Sequence, residues 1–492
     1  MNEIVIGLDI GTTCAKALAV NAGGAVVGQG SSGYRLHSSG CRIEQDAGDW
    51  TRASAEAIRQ AVKNLDAGAV KAISLSTQGS STAAVDAAGK PMGYALTWMD
   101  SRAAAEADEI ERELGGDYVY RTSGWKINPA LDAAKIRHMR KDPAFAGAVK
   151  YLSTVEIVNG WMTGNPVIDP TNAAIRQLYN VAENRWDDKL LHAAGITQEQ
   201  LPQVLPTGAK VGELCPEAAA QMGLLPGVAV FNGAHDQYCA AIGAGAVRDG
   251  DLLLSAGTTW VLMGVGTKPL FTDSYIAPGK HPVEGLYGAI ASLICSGASL
   301  QWFKNEFLPE EFDEMNRVVA QRRDKTGDLC YYPYLAGAAF PLWVRGAKGA
   351  FTGMTLEHDR FDFARAIMEG VAFGVRRGVQ EFAAAGTQVQ RITVMGGAAK
   401  SPVWCQMIAD VTGVTLEKLN QSDVCALGAA AIALQGAGLY PDYGAAARAM
   451  VQPAGTYEPQ AADRAYYEEK FRKFDRMWRC MEQFYREEEQ KA

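Results

Sequence analysis

One short pattern occurs twice in this chain, and any fold has to accommodate both copies. Residues Asn2 to Val20 read as strand, turn, strand: the apolar run Ile4-Val5-Ile6-Gly7-Leu8, the turn Asp9-Ile10-Gly11-Thr12-Thr13-Cys14, then Ala15 to Val20. Asp251 to Met263 repeats it, with Leu252-Leu253-Leu254-Ser255-Ala256 leading into Gly257-Thr258-Thr259 and then Trp260-Val261-Leu262-Met263. Glycine permits a tight turn whose backbone N–H groups point at one spot, and the threonine hydroxyls add donors there. Such a concavity attracts an anion without a net positive charge. One Gly-Thr-Thr alone is an ordinary β-hairpin. Two copies, about half a chain apart, indicate duplication of a whole domain rather than of a short solenoid unit. Two related domains with such turns can grip a polyphosphate from both sides, and Asp9 stands where it can hold a magnesium ion through water.

A chain of 492 residues suits two domains, of about 240 residues each. Val247-Arg248-Asp249-Gly250 is the expected boundary, giving domains 1–247 and 248–492. The composition is 48% hydrophobic and 21% charged, as in ordinary globular proteins, and the net charge is −8. An acidic chain offers no field for nucleic acid or an anionic membrane. Nine cysteines are scattered with no Cys-x-x-Cys, and the six histidines are isolated. They predict thiols in a reducing compartment rather than a disulfide or zinc framework. The start lacks a basic n-region, and no apolar run approaches ~18 residues, so the expectation is a cytoplasmic protein.

Strands alternate with helical periods along the chain, which predicts an α/β fold with mixed sheets. Asp49 is expected to cap a helix from Trp50 to Leu65, with Ala53, Ala57, Ile58, Ala61 and Val62 on one face. Ala69 to Ser76 is a buried strand ahead of the polar turn Thr77 to Thr82. Gly227 to Phe231 is another, opening into Asn232-Gly233-Ala234-His235-Asp236-Gln237 and a small-residue helix. Later, Gln390 to Val394 feeds Met395-Gly396-Gly397, Ser401 caps a helix with Pro402 in its first turn, and Gly413 ends it. Between Ala461 and Glu489 a charged helix carries Tyr467, Phe471, Phe474, Trp478, Met481 and Tyr485 in a heptad-like stripe. Packing against the chain's own core is the expected use of that stripe, and a homodimer interface is the alternative.

With these residues in view, the chain resembles the FGGY family of carbohydrate kinases over nearly its whole length, in its xylulokinase-like branch. The likeness lies in Asp9 to Thr13, Glu44-Gln45-Asp46, Trp98-Met99-Asp100-Ser101-Arg102 and Gly233 to Gln237. It continues in Gly257-Thr258-Thr259, Ser296 to Trp302, Gly349 to Gly370, Gly396-Gly397-Ala398 and Leu427-Gly428-Ala429-Ala430. The resemblance implies two ribonuclease-H-like domains, of the actin and hexokinase type, flanking a central cleft. It also implies transfer of a phosphoryl group from ATP, with Mg2+, to a hydroxyl of a ketose such as xylulose or a related polyol. Asp236 then corresponds to the general base, and Gln78, Gly79, Ser80, Asp100, Arg102 and Gln237 to acceptor contacts. Gly11, Thr12, Thr13, Gly257, Thr258, Thr259, Gly297, Gln301, Gly396, Gly397 and Ser401 correspond to nucleotide contacts, and Asp9 to the metal ligand. The chain departs from the family at Gln78-Gly79-Ser80, where xylulokinases carry Gln-Met-His and glycerol kinases Gln-Arg-Glu. A small, uncharged Gly-Ser pair predicts a wider pocket or one that reads a different hydroxyl pattern. Rival readings are a kinase of another acceptor (a sugar acid, an alditol, a signalling molecule) and a non-catalytic ATP-binding sensor on the same fold.

Overall fold

The computed structural model describes residues 3–322, 326–344, 346–419, 421, 423–489 and 491; Asn2, at the head of the first hairpin, lies outside them. The chain divides into two compact units. One comprises Met1–Val247, Pro278–Tyr287 and Asp423–Val451, the other Arg248–Ala277, Gly288–Ser422 and Gln452–Ala492.

The first unit is organised on strands β1 (Ile4–Ile10), β2 (Cys14–Asn21), β3 (Val26–Gly33), β4 (Val70–Thr77), β5 (Lys210–Glu213) and β6 (Ala229–His235). They form one sheet in the order β5-β6-β4-β1-β2-β3. The first three make an antiparallel meander, β4 lies parallel to both β1 and β6, and β5 is antiparallel to β6. β6 runs four residues beyond the Phe231 expected from the sequence, through the polar stretch to His235. Ladder pairing with β4 carries that stretch, since Ala234 and His235 lie opposite Ser76 and Thr77.

A helix over Ala47–Val62 buries Trp50, Ala53, Ala57, Ile58 and Ala61. It starts earlier than expected and Asp49 is not its cap. Asp46, in an extended conformation, accepts from the Gly48 N–H, which leaves Asp49 in the first turn, bonded to Arg52. A second helix, Val424–Gly436, packs on β1 and β4 and against the helix Asp236–Gly243. It is apolar nearly all round, as a helix buried on every side must be. Its contact with the Asp236 helix depends on missing bulk: a Cβ on Gly428 would stand 1.9 Å from the Cys239 carbonyl oxygen.

The second unit repeats the plan with β7 (Asp251–Ala256), β8 (Trp260–Gly266), β9 (Tyr287–Leu293), β10 (Arg391–Met395), β11 (Leu416–Leu419) and β12 (Pro453–Tyr457). Six of this sheet's seven strands run in the order β9-β8-β7-β10-β11-β12. β8 is antiparallel to β7, β10 is parallel to β7 and β11, and β12 is antiparallel to β11. Taken in the direction from β3 to β5, the first unit's order matches those six strands one for one. The duplication seen in two hairpins thus extends to six strands of each sheet.

The C-terminal helix Ala461–Glu489 lays Tyr467, Phe471, Phe474 and Trp478 into the second unit's core, against Phe373, Tyr332 and Tyr334. Its Lys470 is buried too, held by Glu369 at 2.5 Å, and Glu369 also accepts from Arg365 at 2.9 Å. The aromatic stripe packs within the chain. No helix among the described residues is long and apolar enough to cross a membrane.

Candidate functional site

In the first unit, parallel neighbours β1, β4 and β6 all end at one edge of the sheet, where open α/β sheets place their ligands. Asp9 lies there opposite Ser76 in the ladder, and Ser76 Oγ donates to its Oδ1 at 2.7 Å. Removal from water first, and the neighbouring charge of Asp236 as well, push Asp9 up to about 7 against the pull of the Ser76 hydrogen bond. Lys16 on β2 pairs with Asp423 at 2.7 Å, and both charges also act on Asp9. Asp236 opens the helix that follows β6. Its Oδ1 is out of water with no hydrogen-bond partner; His235 Nε2 is 3.2 Å away but poorly directed for a bond. Gln237 Oε1 and Gln78 Oε1 are likewise buried acceptors without partners. Buried acceptors are almost always paired in native proteins, so three around one strand edge call for a ligand that donates.

The loop after β4 holds the first surprise. A Cβ on Gly79 would lie 2.6 Å from His235 Cδ2 and 2.8 Å from Ile175 Cγ2. The room expected from the missing side chain is already filled by the imidazole. Ser80 has a left-handed backbone (φ 50°) and is itself buried. Its hydroxyl donates to Asp132 at 2.5 Å, while Lys135 Nζ donates to its carbonyl. Asp132 also receives Arg176 Nε at 2.5 Å, and Arg176 reaches Glu156 at 3.0 Å. All four charged groups are fully buried. Burial alone would raise Asp132, yet Arg176 and Lys135 hold it below the usual range; burial pushes Lys135 down to about 8. Ser80 therefore stands as a brace of this network. Asp100 is a brace as well, fully buried and accepting from Arg102 at 2.6 Å and from the Ile43 N–H at 2.8 Å. Arg102 also donates to Glu44 at 2.5 Å.

Two contributors carry no assigned role in the sequence reading. Trp98 Nε1 donates to Thr12 Oγ1 at 3.0 Å, although the indole is half exposed. The segment from Asp169 fixes the backbone before Asp236: Thr171 Oγ1 accepts from the His235 N–H at 2.8 Å, and Asp169 takes bonds from Thr171 and Asn172. A buried Asp at a helix N-cap was the available signal, since Asp169 caps Pro170–Ile175.

The two Gly-Thr-Thr turns are held differently. Gly11 N–H closes its turn on the Cys14 carbonyl at 3.0 Å, while Tyr34 donates to the Gly11 carbonyl and Gln45 to that of Thr12. Gly257, Thr258 and Thr259 are all exposed. Gly257 and Thr258 join Gly297, Gln301, Gly397 and Ser401 in lining a pocket of about 680 Å³ within the second unit. Thr259 and Gly396 are not in its wall, though Gly396 supports the turn below from a left-handed conformation (φ 94°) against Ala256. Gln301 donates to Asn305 at 2.8 Å. Ser401 caps Pro402–Thr412 as expected, accepting from the Trp404 N–H at 3.2 Å. The helix Phe312–Val319 completes the wall with Phe312, Met315 and Asn316. No sequence motif marks that helix.

The N-terminal domain of the FGGY family of carbohydrate kinases matches residues 4–243, and the family's C-terminal domain matches 252–437. The chain is 27% identical over 493 residues to a xylulose kinase of Staphylococcus epidermidis, covering 98% of each chain. It is 30% identical over 432 residues to the gluconokinase of Bacillus subtilis, covering 84% of this chain and 83% of that one. The crystal structure of gluconate kinase from Lactobacillus acidophilus superposes with a TM-score of 0.92 at 24% identity, over 99% of both chains.

Proposed function

Because the chain belongs to the FGGY family of carbohydrate kinases, and is therefore a carbohydrate kinase, we propose that it transfers the γ-phosphoryl group of MgATP to a hydroxyl of a neutral acceptor, a ketose such as xylulose or a related polyol, with Asp236 as general base. The observation that carries this reading is the trio of unpartnered buried acceptors, Gln78 Oε1, Asp236 Oδ1 and Gln237 Oε1, at one strand edge. A polyhydroxylated molecule supplies the donors they lack.

Phosphoryl transfer needs an oriented nucleophile, neutralised charge and a group to take the hydroxyl proton. Asp236 Oδ1 is free to accept that proton, and the bond from His235 N–H to Thr171 fixes the backbone that presents it. Gln78 is fixed through Gln45 at 2.7 Å, which leaves its carbonyl oxygen to orient a second acceptor hydroxyl. The turns Gly11–Thr13 and Gly257–Thr259 are phosphate-binding turns in this reading, and the second-unit pocket takes the nucleoside. Asp9 and Asp236 suit magnesium: two carboxylates repel each other away from water, and Mg2+ binds through one or two carboxylates with waters and phosphate oxygens. Bound there with the nucleotide, the ion would neutralise phosphate charge, and Asp9 would hold it.

A sugar acid is the second reading, favoured by the identity to a gluconokinase. A carboxylate needs a cation, and Arg102 already serves Asp100 and Glu44. A coupled assay of ADP release across ketoses, alditols and aldonates tests the reading. Turnover with a ketose or alditol is expected. An aldonate preference moves the assignment to the second reading, and release independent of any acceptor supports an ATP-binding sensor instead.

A further inference from the structure

The pocket of the second unit is lined by two chemically distinct groups. Gly257, Thr258, Gly297 and Ala298 offer backbone and little bulk, while Phe312, Met315 and Trp404 offer apolar surface of the kind that packs on an aromatic ring. The pocket's other carboxamide, Gln301, donates to Asn305, while that of Asn316, on one helix with the pocket's Asp313, stands with the apolar group.

Its orientation follows from one hydroxyl. Ser401 Oγ accepts from the Trp404 N–H at the start of its helix and lies 2.8 Å from Asn316 Oδ1. A serine hydroxyl carries a single hydrogen, and Ser401 is buried, so that hydrogen needs an acceptor. Asn316 Oδ1 is that acceptor. Turning the amide over would set its N–H against Ser401 and leave the hydroxyl hydrogen with nothing to bond. The Nδ2 group therefore faces away from Ser401, and it takes no other hydrogen bond among the described residues.

We infer that Asn316 reads the edge of the nucleobase, donating from Nδ2 to one ring nitrogen, and that Ser401 is the positioning residue that sets the amide. This rests on the pocket being the nucleotide site. The consequence is a division within one ligand: the phosphate tail depends on turns and glycines, the base on this amide.

Calorimetry with ATP and with inorganic tripolyphosphate, on the wild type and on Asn316→Asp, tests it. Asn316→Asp keeps the shape and the acceptor for Ser401 but removes the donor. It is expected to weaken ATP about tenfold, the upper end for one net hydrogen bond, and to leave tripolyphosphate within about twofold. Ser401→Ala is expected to cost ATP about threefold, because the amide is then free to turn. In the wild type, one of 1-deaza-, 3-deaza- and 7-deaza-ATP reproduces the loss, and that analogue loses nothing further in Asn316→Asp. ATP affinity within twofold of wild type in Asn316→Asp overturns the inference, as does an equal loss for tripolyphosphate or three deaza analogues that bind like ATP. Wild-type protein that binds no ATP overturns the nucleotide reading itself, a different and separable result.

Discussion

The turn after β1 and the turn after β7 occupy the same place in two matching sheets, yet they are surrounded by opposite chemistry. Around Gly11–Thr13 side chains crowd in, with Tyr34, Gln45 and Trp98 bonded to the turn and Asp9 just before it. Around Gly257–Thr259 the surroundings recede, and Ser255 holds the position that Asp9 has in the first copy. The loops after β4 and β10 repeat the contrast. The space at Gly79 is filled by His235 and the next residue, Ser80, is tied into buried charge, whereas Gly397 opens on a pocket. A duplicated sheet fixes where loops emerge. What each loop carries makes one edge a carboxylate centre and the other a cavity.

The contrast predicts where function breaks. Asp236→Asn should lower turnover about 10³-fold, within the range for a lost general base, while ATP affinity stays within about threefold. Coupled ADP release and calorimetry check this, and turnover within tenfold of wild type would erase the proposed division of labour. Next come the buried charges of each unit. Asp132→Ala strands Lys135 and Arg176, and Glu369→Ala strands Lys470 and Arg365, each at a cost of about 3–5 kcal/mol in urea unfolding. Only Asp132→Ala should also raise the acceptor KM, because it releases the Ser80 loop.

Gly79→Ala sharpens the comparison further by pushing the added methyl into His235. About tenfold is expected off kcat/KM for the acceptor, with KM for ATP unchanged, the effect of a displaced side chain rather than a lost catalytic group. Added to His235→Ala it should cost less, since the clash with the imidazole is gone and only that with Ile175 Cγ2 remains. The smallest effect concerns acid. His281, beside Tyr238 in the first unit, is pushed by burial to about 3 from an ordinary 6.5. Between those values the unfolded chain binds the extra proton, so this group's contribution to stability falls as pH drops from 6.5 toward 3. His281→Phe should flatten urea midpoints over that window, and an unchanged slope would refute the assignment.

Much of this was readable in the sequence because it depends on local rules. The hairpins, the Ser401 cap with Pro402 behind it, and the Gly413 stop each need only a few neighbouring residues. The misreadings arose where distant segments decide. Asp46 and Asp49 are equally good caps by composition, and only the chain's approach to the Gly48 N–H separates them. Gly79 advertised a missing side chain, but the imidazole that fills the gap arrives from β6 through its pairing with β4. Asn316 lies on an unmarked helix and gains meaning from Ser401, 85 positions away.

The return of Val424–Gly436 to the first unit has a consequence for biosynthesis. When the opening half leaves the ribosome, one face of its sheet is still bare, because the segment that shields β1 and β4 has yet to be translated. The first half cannot reach its finished form early and wait for the second. A piece cut at residue 247 therefore leaves the opening half without a segment of its own unit, whereas the second unit is encoded entirely after that point.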